Sequence, residues 1–331
     1  MSNYKISYVV TTYNKLPYLK QVLERLVAAR LPDEEIVVTD GGSKDGTPDY
    51  LRGLHEAGHI QQFVSERDKG ESHGFNKAML MARGQFVKII TDDDAFCYPA
   101  IRQAANFMVE HPAVDVATGH TGLLLLEDLS SVTLYEDVAD NFRRWLSHKE
   151  VVWMIGLPLL IRRTSLSLTG LFNTGVVQMD TEFTYRITSL NVNIAWCSHI
   201  LSMRIENPQS NFRVMNQGKG RNTSVLESNR MRFYYDKGIS DSFLDFARHK
   251  SGWVESLKAP IRPAKRLLFE TLKMKQYEGF EKIPSGYQPA PGEDPLGAAF
   301  RICDNFMKAY NEQHPLEFLH RDQPITKALD A

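Results

Sequence analysis

Phe86-Val87-Lys88-Ile89-Ile90-Thr91-Asp92-Asp93-Asp94 is the stretch that decides the fold class. Residues 86–91 form an apolar, β-branched run of the length of a buried strand, and it passes without a turn into three consecutive acids. Upstream, the same layout recurs. Ile6 to Thr12 reads as a buried strand and leads into Tyr13-Asn14. Glu35 to Thr39 reads as a second strand, and it ends in Asp40-Gly41-Gly42-Ser43, a sharp turn that needs glycine's backbone freedom. Between these runs lie helical signals. Leu16 to Ala29 carries apolar residues at Leu19, Val22, Leu23, Leu26 and Val27, the helical period. A helix is expected to start near Thr47-Pro48, with Thr47 or Asp45 as cap and Pro48 in the first turn. Gln61 to Ser65 reads as a short third strand, and Phe75 to Ala82 as a helix stopped by Gly84. Strands alternating with helices imply an α/β fold with a largely parallel sheet, and such sheets bind ligands at the carboxyl ends of their strands. Three polar clusters fall at such ends: Thr11 to Asn14, Asp40 to Thr47 and Asp92 to Asp94. One cluster is an ordinary solvated loop; three in equivalent places point to a shared site.

Further along, Val114 to Thr118, Pro158 to Arg162 and Val192 to Trp196 read as strands and Asp180 to Leu190 as a helix. The character changes beyond Pro208. Residues 207–224 are polar and contain two glycines, the composition of a flexible loop. Val225 to Asp236, Asp241 to His249, Pro263 to Tyr277 and Leu296 to Asn311 read as helices, and Ile283 to Pro295, rich in Pro and Gly, as a linker. No internal repeat is present.

Composition narrows the function classes. The chain has 331 residues, 43% hydrophobic and 24% charged, enough for a sizeable core and for two domains or one with an appendage. Its 39 basic and 40 acidic side chains leave a net charge of -1, so a global basic field for nucleic acid is excluded and no nucleic-acid partner is expected. Cys97, Cys197 and Cys303 are odd in number and far apart, with neither a disulfide framework nor a metal spacing, which suits a reducing compartment. No signal-peptide layout follows Met1, and the longest apolar candidate, Val151 to Ile161, is broken by Pro158. These features carry the expectation of a cytoplasmic protein.

The acids suggest a chemistry. Carboxylates are hard oxygen donors suited to Mg²⁺ or Mn²⁺, ions that keep several waters and bridge phosphates, so one or two carboxylates at a strand end suffice. A solvated acidic turn is the plain alternative for Asp92 to Asp94, but three adjacent like charges repel unless a cation compensates them. Asp40, at the end of a buried strand, can accept hydrogen bonds from a base edge or a ribose, whereas Ser43 to Thr47 reads equally as a simple strand-to-helix turn. No Gly-Lys-Ser/Thr phosphate loop and no Gly-x-Gly-x-x-Gly is present, which disfavours a dinucleotide-dependent oxidoreductase.

Taken in order, Val9-Val10-Thr11-Thr12-Tyr13-Asn14, Ile36-Val37-Val38-Thr39-Asp40-Gly41-Gly42-Ser43-Lys44-Asp45-Gly46-Thr47, Ser65-Glu66-Arg67-Asp68-Lys69-Gly70, Asn76-Lys77-Ala78 and Thr91-Asp92-Asp93-Asp94 resemble glycosyltransferase family 2. The resemblance is dense over roughly residues 5–100 and thinner to about residue 205. It implies a GT-A type, Rossmann-like, mostly parallel sheet flanked by helices. On that basis residues 1–206 are expected to form the catalytic domain, with a nucleotide-binding half over 1–100 and an acceptor half over 101–206. Residues 207–224 would be a loop, and 225–331 a mainly helical C-terminal region. It also implies an inverting, metal-assisted transfer of a sugar from a nucleotide-diphosphate donor, a UDP-sugar first, to a glycan or lipid-linked acceptor. Thr11, Tyr13, Asp40, Asp68, Lys69 and Lys77 would bind the nucleotide. Asp92 and Asp93 would face the ribose and the water shell of a Mn²⁺ or Mg²⁺ ion, Asp94 would be its direct ligand, and Asp92 is a second candidate ligand. The family writes this segment with two acids, so the third leaves the division of labour within the triplet open.

The catalytic base in this family is an aspartate before a helix that carries an aromatic and an arginine. Met179-Asp180-Thr181-Glu182-Phe183-Thr184-Tyr185-Arg186 resembles that segment, which makes Asp180 the expected base and Glu182 the substitute. A helix cap at Asp180, with Glu182 in the first turn, is the structural alternative. His120, after an expected strand, is a candidate acceptor-facing residue, and residues 204–221 read as a lid over the diphosphate or an ordinary loop. Trp253 to Lys275 is basic and amphipathic, so a peripheral contact with the inner face of a membrane is weighed against the preferred reading, a helix packed on the catalytic domain. Two rival functions remain: a non-catalytic sugar-nucleotide binding protein, and a nucleotidyltransferase of the same fold.

Overall fold

Strand β1 (Ile6–Thr12) is buried along its whole length, as a strand apolar on both faces must be when helices cover both sides of a sheet. The computed structural model describes residues 4–208, 210, 219–237 and 280–321. Parallel partners β2 (Glu34–Asp40) and β4 (Phe86–Ile90) flank β1, and β3 (Gln62–Ser65) pairs parallel with β2. The crossovers are α1 (Leu16–Ala29), α2 (Thr47–Glu56) and α3 (Glu71–Met81). Alternation along β1 divides the interior in two: Ile6, Tyr8 and Val10 join Leu19 and Leu23 of α1, and Val9 joins Phe75 and Met79 of α3. The α/β class expected from the sequence is the class observed.

After β4 come β5 (Ala95–Phe96), α4 (Tyr98–Glu110), β6 (Val116–Leu125), β7 (Asp128–Tyr135), α5 (Glu136–His148), β8 (Leu160–Arg162), α6 (Leu166–Thr169), α7 (Met179–Ser189) and β9 (Ile194–Glu206). With β10 (Phe280–Pro284) at one edge, the sheet runs β10-β7-β6-β8-β4-β1-β2-β3, and β9 pairs parallel with β6 and antiparallel with β5 and β11 (Phe318–Leu319). Beyond β9, the described elements are α8 (Lys219–Lys237), β10 (Phe280–Pro284), α9 (Pro295–Gln313) and β11 (Phe318–Leu319). Helix α9 buries Ala299, Phe300, Ile302 and Cys303 in the same core as α1. All three cysteines are free.

Several boundaries differ from the sequence reading, each for a local reason. Helix α3 starts at Glu71, four residues before the apolar period begins at Phe75. Strands β6 and β9 run on to Leu125 and Glu206 because their polar residues satisfy each other inside the sheet, as where Thr121 and Ser202 share a 3.0 Å hydrogen bond. Thr47 is the first helical residue rather than the cap of α2. Gly46 occupies the cap with φ 91, and Asp45 accepts from both the Thr47 amide and its hydroxyl. The first two residues of the expected linker, 283 and 284, belong to a strand over 280–284 that pairs with β7. Of the loop expected at 207–224, residues 219–224 belong to α8, and 209 and 211–218 lie outside the described residues, as do the helices expected at 241–249 and 263–277.

Strand β2 opens with Glu34-Glu35, two carboxylates almost fully buried on opposite faces of the sheet. Burying them is tolerable because each has a guanidinium. Arg102 of α4 forks onto Glu34 at 2.7 and 2.8 Å, and Arg83 after α3 reaches Glu35 at 2.8–2.9 Å. Removing Arg102 would leave the Glu34 charge unpaired, so Arg102→Ala is expected to cost about 3–5 kcal/mol in urea unfolding. A loss under about 1 kcal/mol would show that the pair does not hold the edge of β2.

Candidate active site

The acid triplet sits where β4 ends and the two residues of β5 pair with Ser202 and Met203 of β9. This clamp brings Asp92, Asp93 and Asp94 to 6–7% exposure. Asp94 accepts from the Thr91 hydroxyl at 2.6 Å and from the Ile205 amide of β9 at 2.8 Å. Asp93 accepts from Asn207 at 3.1 Å. The compensating cation that the sequence demanded is Lys15, whose ammonium lies 2.7 Å from Asp93 and 3.3 Å from Asp92. Burial pushes the Asp92 carboxyl up to about 6, with Lys15 opposing and Asp93 adding to the shift. Burial, reinforced by Asp93, pushes Asp94 up to about 7 against the Thr91 and Ile205 hydrogen bonds.

A raised carboxyl means that the folded, metal-free chain holds a proton that the unfolded chain has released. Stability is then fully present below the unfolded value near pH 4 and is lost as pH rises toward about 7. The melting temperature of metal-free wild type is expected to fall more steeply between about pH 4 and pH 7 than that of Asp94→Asn. Parallel profiles for the two proteins would contradict this.

Asp180 lines the same cavity as the triplet. The cavity, about 600 Å³, is lined by Lys15, the acid triplet, Asp180 and Arg204, with Trp153, Phe172 and Tyr185 among its apolar walls. Asp180 is the second residue of α7, and the cap position belongs to Gln178, so the capping alternative does not describe it. Its carboxylate accepts the Thr181 amide at 2.8 Å. Burial raises its pKa, and the Thr181 and Gly156 amides and Arg204 oppose the rise. Gly156 must be glycine here, because a Cβ at that position would lie 2.5 Å from the Asp180 Cβ. Glu182 is engaged elsewhere: it is 3% exposed, forks with Arg186 at 3.0 Å twice, and accepts the Tyr235 hydroxyl of α8. Helix α8 also turns Glu227 onto the Val177 and Gln178 amides at 3.1–3.2 Å, which satisfies the open N-terminus of α7.

Of the other expected nucleotide contacts, Thr11, Tyr13, Asp40, Asp68 and Lys69 lie at or just after the ends of β1, β2 and β3 and Lys77 lies on α3, all outside the residues that line this cavity. A Cβ on Gly74 would lie 2.0 Å from the Thr11 hydroxyl and 3.2 Å from Asp68, and one on Gly41 would lie 2.9 Å from Asp68. Thr11, Asp68, Gly41 and Gly74 therefore converge, with no room for side chains at the two glycines. Tyr13 stands 59% exposed beside them. Asp40 is fully buried, and its carboxylate accepts from the amide and hydroxyl of Ser43 and from the Ser65 hydroxyl at 2.6 Å. Lys77 pairs with Glu66 at 3.3 Å, and Lys69 is exposed.

The structure adds residues that sequence patterning missed. Lys15 had one signal, the need of three adjacent acids for a counter-charge. Arg204 was read as the start of a lid, yet it belongs to β9. Trp153, Asn207 and Glu227 carry no periodic or motif signal. His120 does not line the cavity. It packs edge-on against Trp196 with ring centres 5.3 Å apart, and burial pushes its pKa down to about 4.

The triplet fits a hard divalent cation by donor type, since Asp94 uses each oxygen for one hydrogen bond and retains lone pairs beside the cavity. No group of three or more side-chain ligands converges among the described residues. The fit is therefore to an ion that draws most of its ligands from water and phosphate.

Residues 7–123 match the family described as Glycosyl transferase family 2. GlyA, a glycosyltransferase of Streptococcus pneumoniae, is 26% identical over 144 residues, covering 41% of this chain and 20% of GlyA. The matches span about half or less of the length of the curated relatives. The fold is similar to that of Staphylococcus aureus TarS 1-349 in complex with UDP-GlcNAc, at 17% identity and TM-score 0.51 over 76% of this chain and 77% of that one. It is also similar to the mannosyltransferase PcManGT from Pyrobaculum calidifontis in complex with GDP-Man and Mn²⁺, at 18% identity and TM-score 0.50 over 79% and 83%. Residues 7–123 thus resemble glycosyl transferase family 2, and the fold around them is similar to those of two solved glycosyltransferases.

Proposed function

We propose that this chain transfers a sugar, with inversion, from a nucleotide-diphosphate donor to a hydroxyl of a glycan or lipid-linked acceptor. The observation that carries the proposal is the meeting of Asp180 with the Asp92–Asp94 triplet and Lys15 in one cavity of about 600 Å³. A protein that only bound the donor would have no use for a further buried carboxylate, Asp180, in the cavity that the triplet lines. A nucleotidyltransferase usually shows a Gly-rich, basic phosphate loop after its first strand, and here that strand ends in Thr11-Thr12-Tyr13-Asn14. UDP is our first choice of donor nucleotide, in line with the UDP-GlcNAc bound to the fold neighbour TarS.

In this mechanism the nucleoside lies against Tyr13 and near Thr11 and Asp68, and Lys69 and Lys77 stand toward the phosphates. Asp40 keeps the 41–43 turn in shape, and its carboxylate meets the base only if Ser43 and Ser65 release it. Asp94, with Asp92 and Asp93 beside it, would hold a Mn²⁺ or Mg²⁺ ion, which would supply charge neutralisation for the leaving diphosphate. Asp180 accepts the proton of the acceptor hydroxyl as that oxygen attacks the anomeric carbon. Its raised pKa makes it a stronger base than a free carboxylate, and the rate should rise as pH brings it to the ionised form. Trp153, Phe172 and Tyr185 give the cavity apolar walls that suit a sugar ring face. A cytoplasmic setting suits the three free thiols. The basic segment 253–275, once weighed for membrane contact, lies outside the described residues. No helix among the described residues is long and apolar enough to cross a membrane.

The test is turnover of a panel of UDP- and GDP-sugars with Mn²⁺ and mixed glycan and lipid-linked acceptors. Product is scored by nucleoside diphosphate released and by the anomeric configuration of the new linkage. One donor consumed with inversion supports the proposal; release of pyrophosphate would move the chain to the nucleotidyltransferases, and retention would remove Asp180 as base.

A further inference from the structure

Lys15 occupies an unusual place for a lysine. Its side chain is 13% exposed and it contacts two of three adjacent carboxylates, at 2.7 and 3.3 Å. Its backbone is fixed as well. Residue 15 takes the cap position of α1, directly after Asn14, which has φ 52. The Asn14 amide donates to the Ser43 hydroxyl at 2.7 Å, and its side-chain oxygen accepts the Lys44 amide at 2.8 Å. The ammonium is therefore delivered to the triplet by an ordered strand end. Arg204 also acts on Asp94, and Glu71 acts on Lys15 from the start of α3.

We infer that Lys15 is a resident counter-ion that makes cation binding at the triplet conditional on the donor's diphosphate. The inference rests on the donor reading of the triplet given above. A divalent ion arriving alone meets a fixed positive charge already seated on Asp92 and Asp93, and like charges a few ångströms apart at a site screened from water repel strongly. A diphosphate arriving with the ion brings the negative charge that both cations need. The ammonium then moves its contact from Asp93 to a phosphate oxygen, using donors that a point charge on a flexible stem can redirect. The site thereby rejects free metal and accepts the metal–diphosphate pair.

This gives Lys15 two effects of opposite sign, which a merely structural lysine would not have. In the full-length protein, Lys15→Met is expected to bind free Mn²⁺ at least about fivefold tighter, and UDP in saturating Mn²⁺ about tenfold weaker. Both are read by calorimetry, with Mn²⁺ electron paramagnetic resonance as a second reading of the free ion. Lys15→Arg keeps the charge and should stay near wild type in both, as should Lys20→Met on the exposed face of α1. Lys15→Gln repeats the measurement should the methionine variant unfold. Free Mn²⁺ affinity unchanged or weakened in the folded neutral variants overturns the inference. Failure of wild type to bind UDP even with Mn²⁺ counts instead against the donor reading, and the free-metal comparison still judges Lys15.

Discussion

Asp180→Asn is expected to lower turnover by about 10²–10⁴-fold while leaving donor affinity within about twofold of wild type. The substitution keeps the size and the Thr181 amide contact at one oxygen, so α7 should start as before. What it removes is the proton acceptor. Glu182 is poorly placed to take over, since both its oxygens are held by Arg186 and one also by Tyr235. The matching loss with the base gone and the donor still bound would separate chemistry from binding. Turnover near wild type would mean that Asp180 shapes the start of α7 and does nothing to the acceptor.

Asp94→Ala should produce the other large effect, and on a different observable. Here nucleotide affinity in Mn²⁺ is expected to fall to its metal-free level, and turnover to fall by about 10²–10³-fold. The structural reason is that Asp94 is the acid held by groups other than Lys15. Thr91 and the Ile205 amide orient it, while Asp92 and Asp93 are engaged by the lysine. Fold should survive, because a neutral residue at a buried site whose own carboxyl is pushed up to about 7 relieves a burial cost. Metal-dependent affinity that persists in this variant would transfer the ligand role to Asp92 or Asp93.

Where the sequence was legible, one physical signal was unmixed. β1, β2 and β4 carry apolar β-branched runs that end in polar clusters and α1 keeps the helical period, so their bounds come within a residue or two of the observed ones. The expected α/β class follows from them. Strands β6 and β9 were cut short because buried polar side chains such as Thr121 and Ser202 interrupt the apolar run while pairing with each other across the sheet. Helix α3 was clipped at Gly74, a residue that weakens a helix in sequence and is required in space by the Thr11 hydroxyl. The site divides in the same way. Asp92 to Asp94 stand out by local pattern and Asp180 only through the resemblance of its segment to the family, and the structure brings them to one cavity. Lys15, Arg204, Asn207 and Glu227 act through contacts 50 to more than 100 residues away in the chain, for which no local pattern exists. Asp40 shows the converse: its position at a strand end suggested a ligand contact, and its carboxylate is occupied by Ser43 and Ser65.

The central claim is that the acid triplet and its neighbours hold a nucleoside diphosphate together with a divalent cation. Calorimetry of the wild-type chain with UDP, GDP, ADP and dTDP, each with and without Mn²⁺, tests it most directly. The account predicts that one nucleotide, UDP first, binds with Mn²⁺ and at least about tenfold more weakly without it. Binding of none of the four in either condition would contradict the account and leave the triplet as a buried acidic turn held by Lys15.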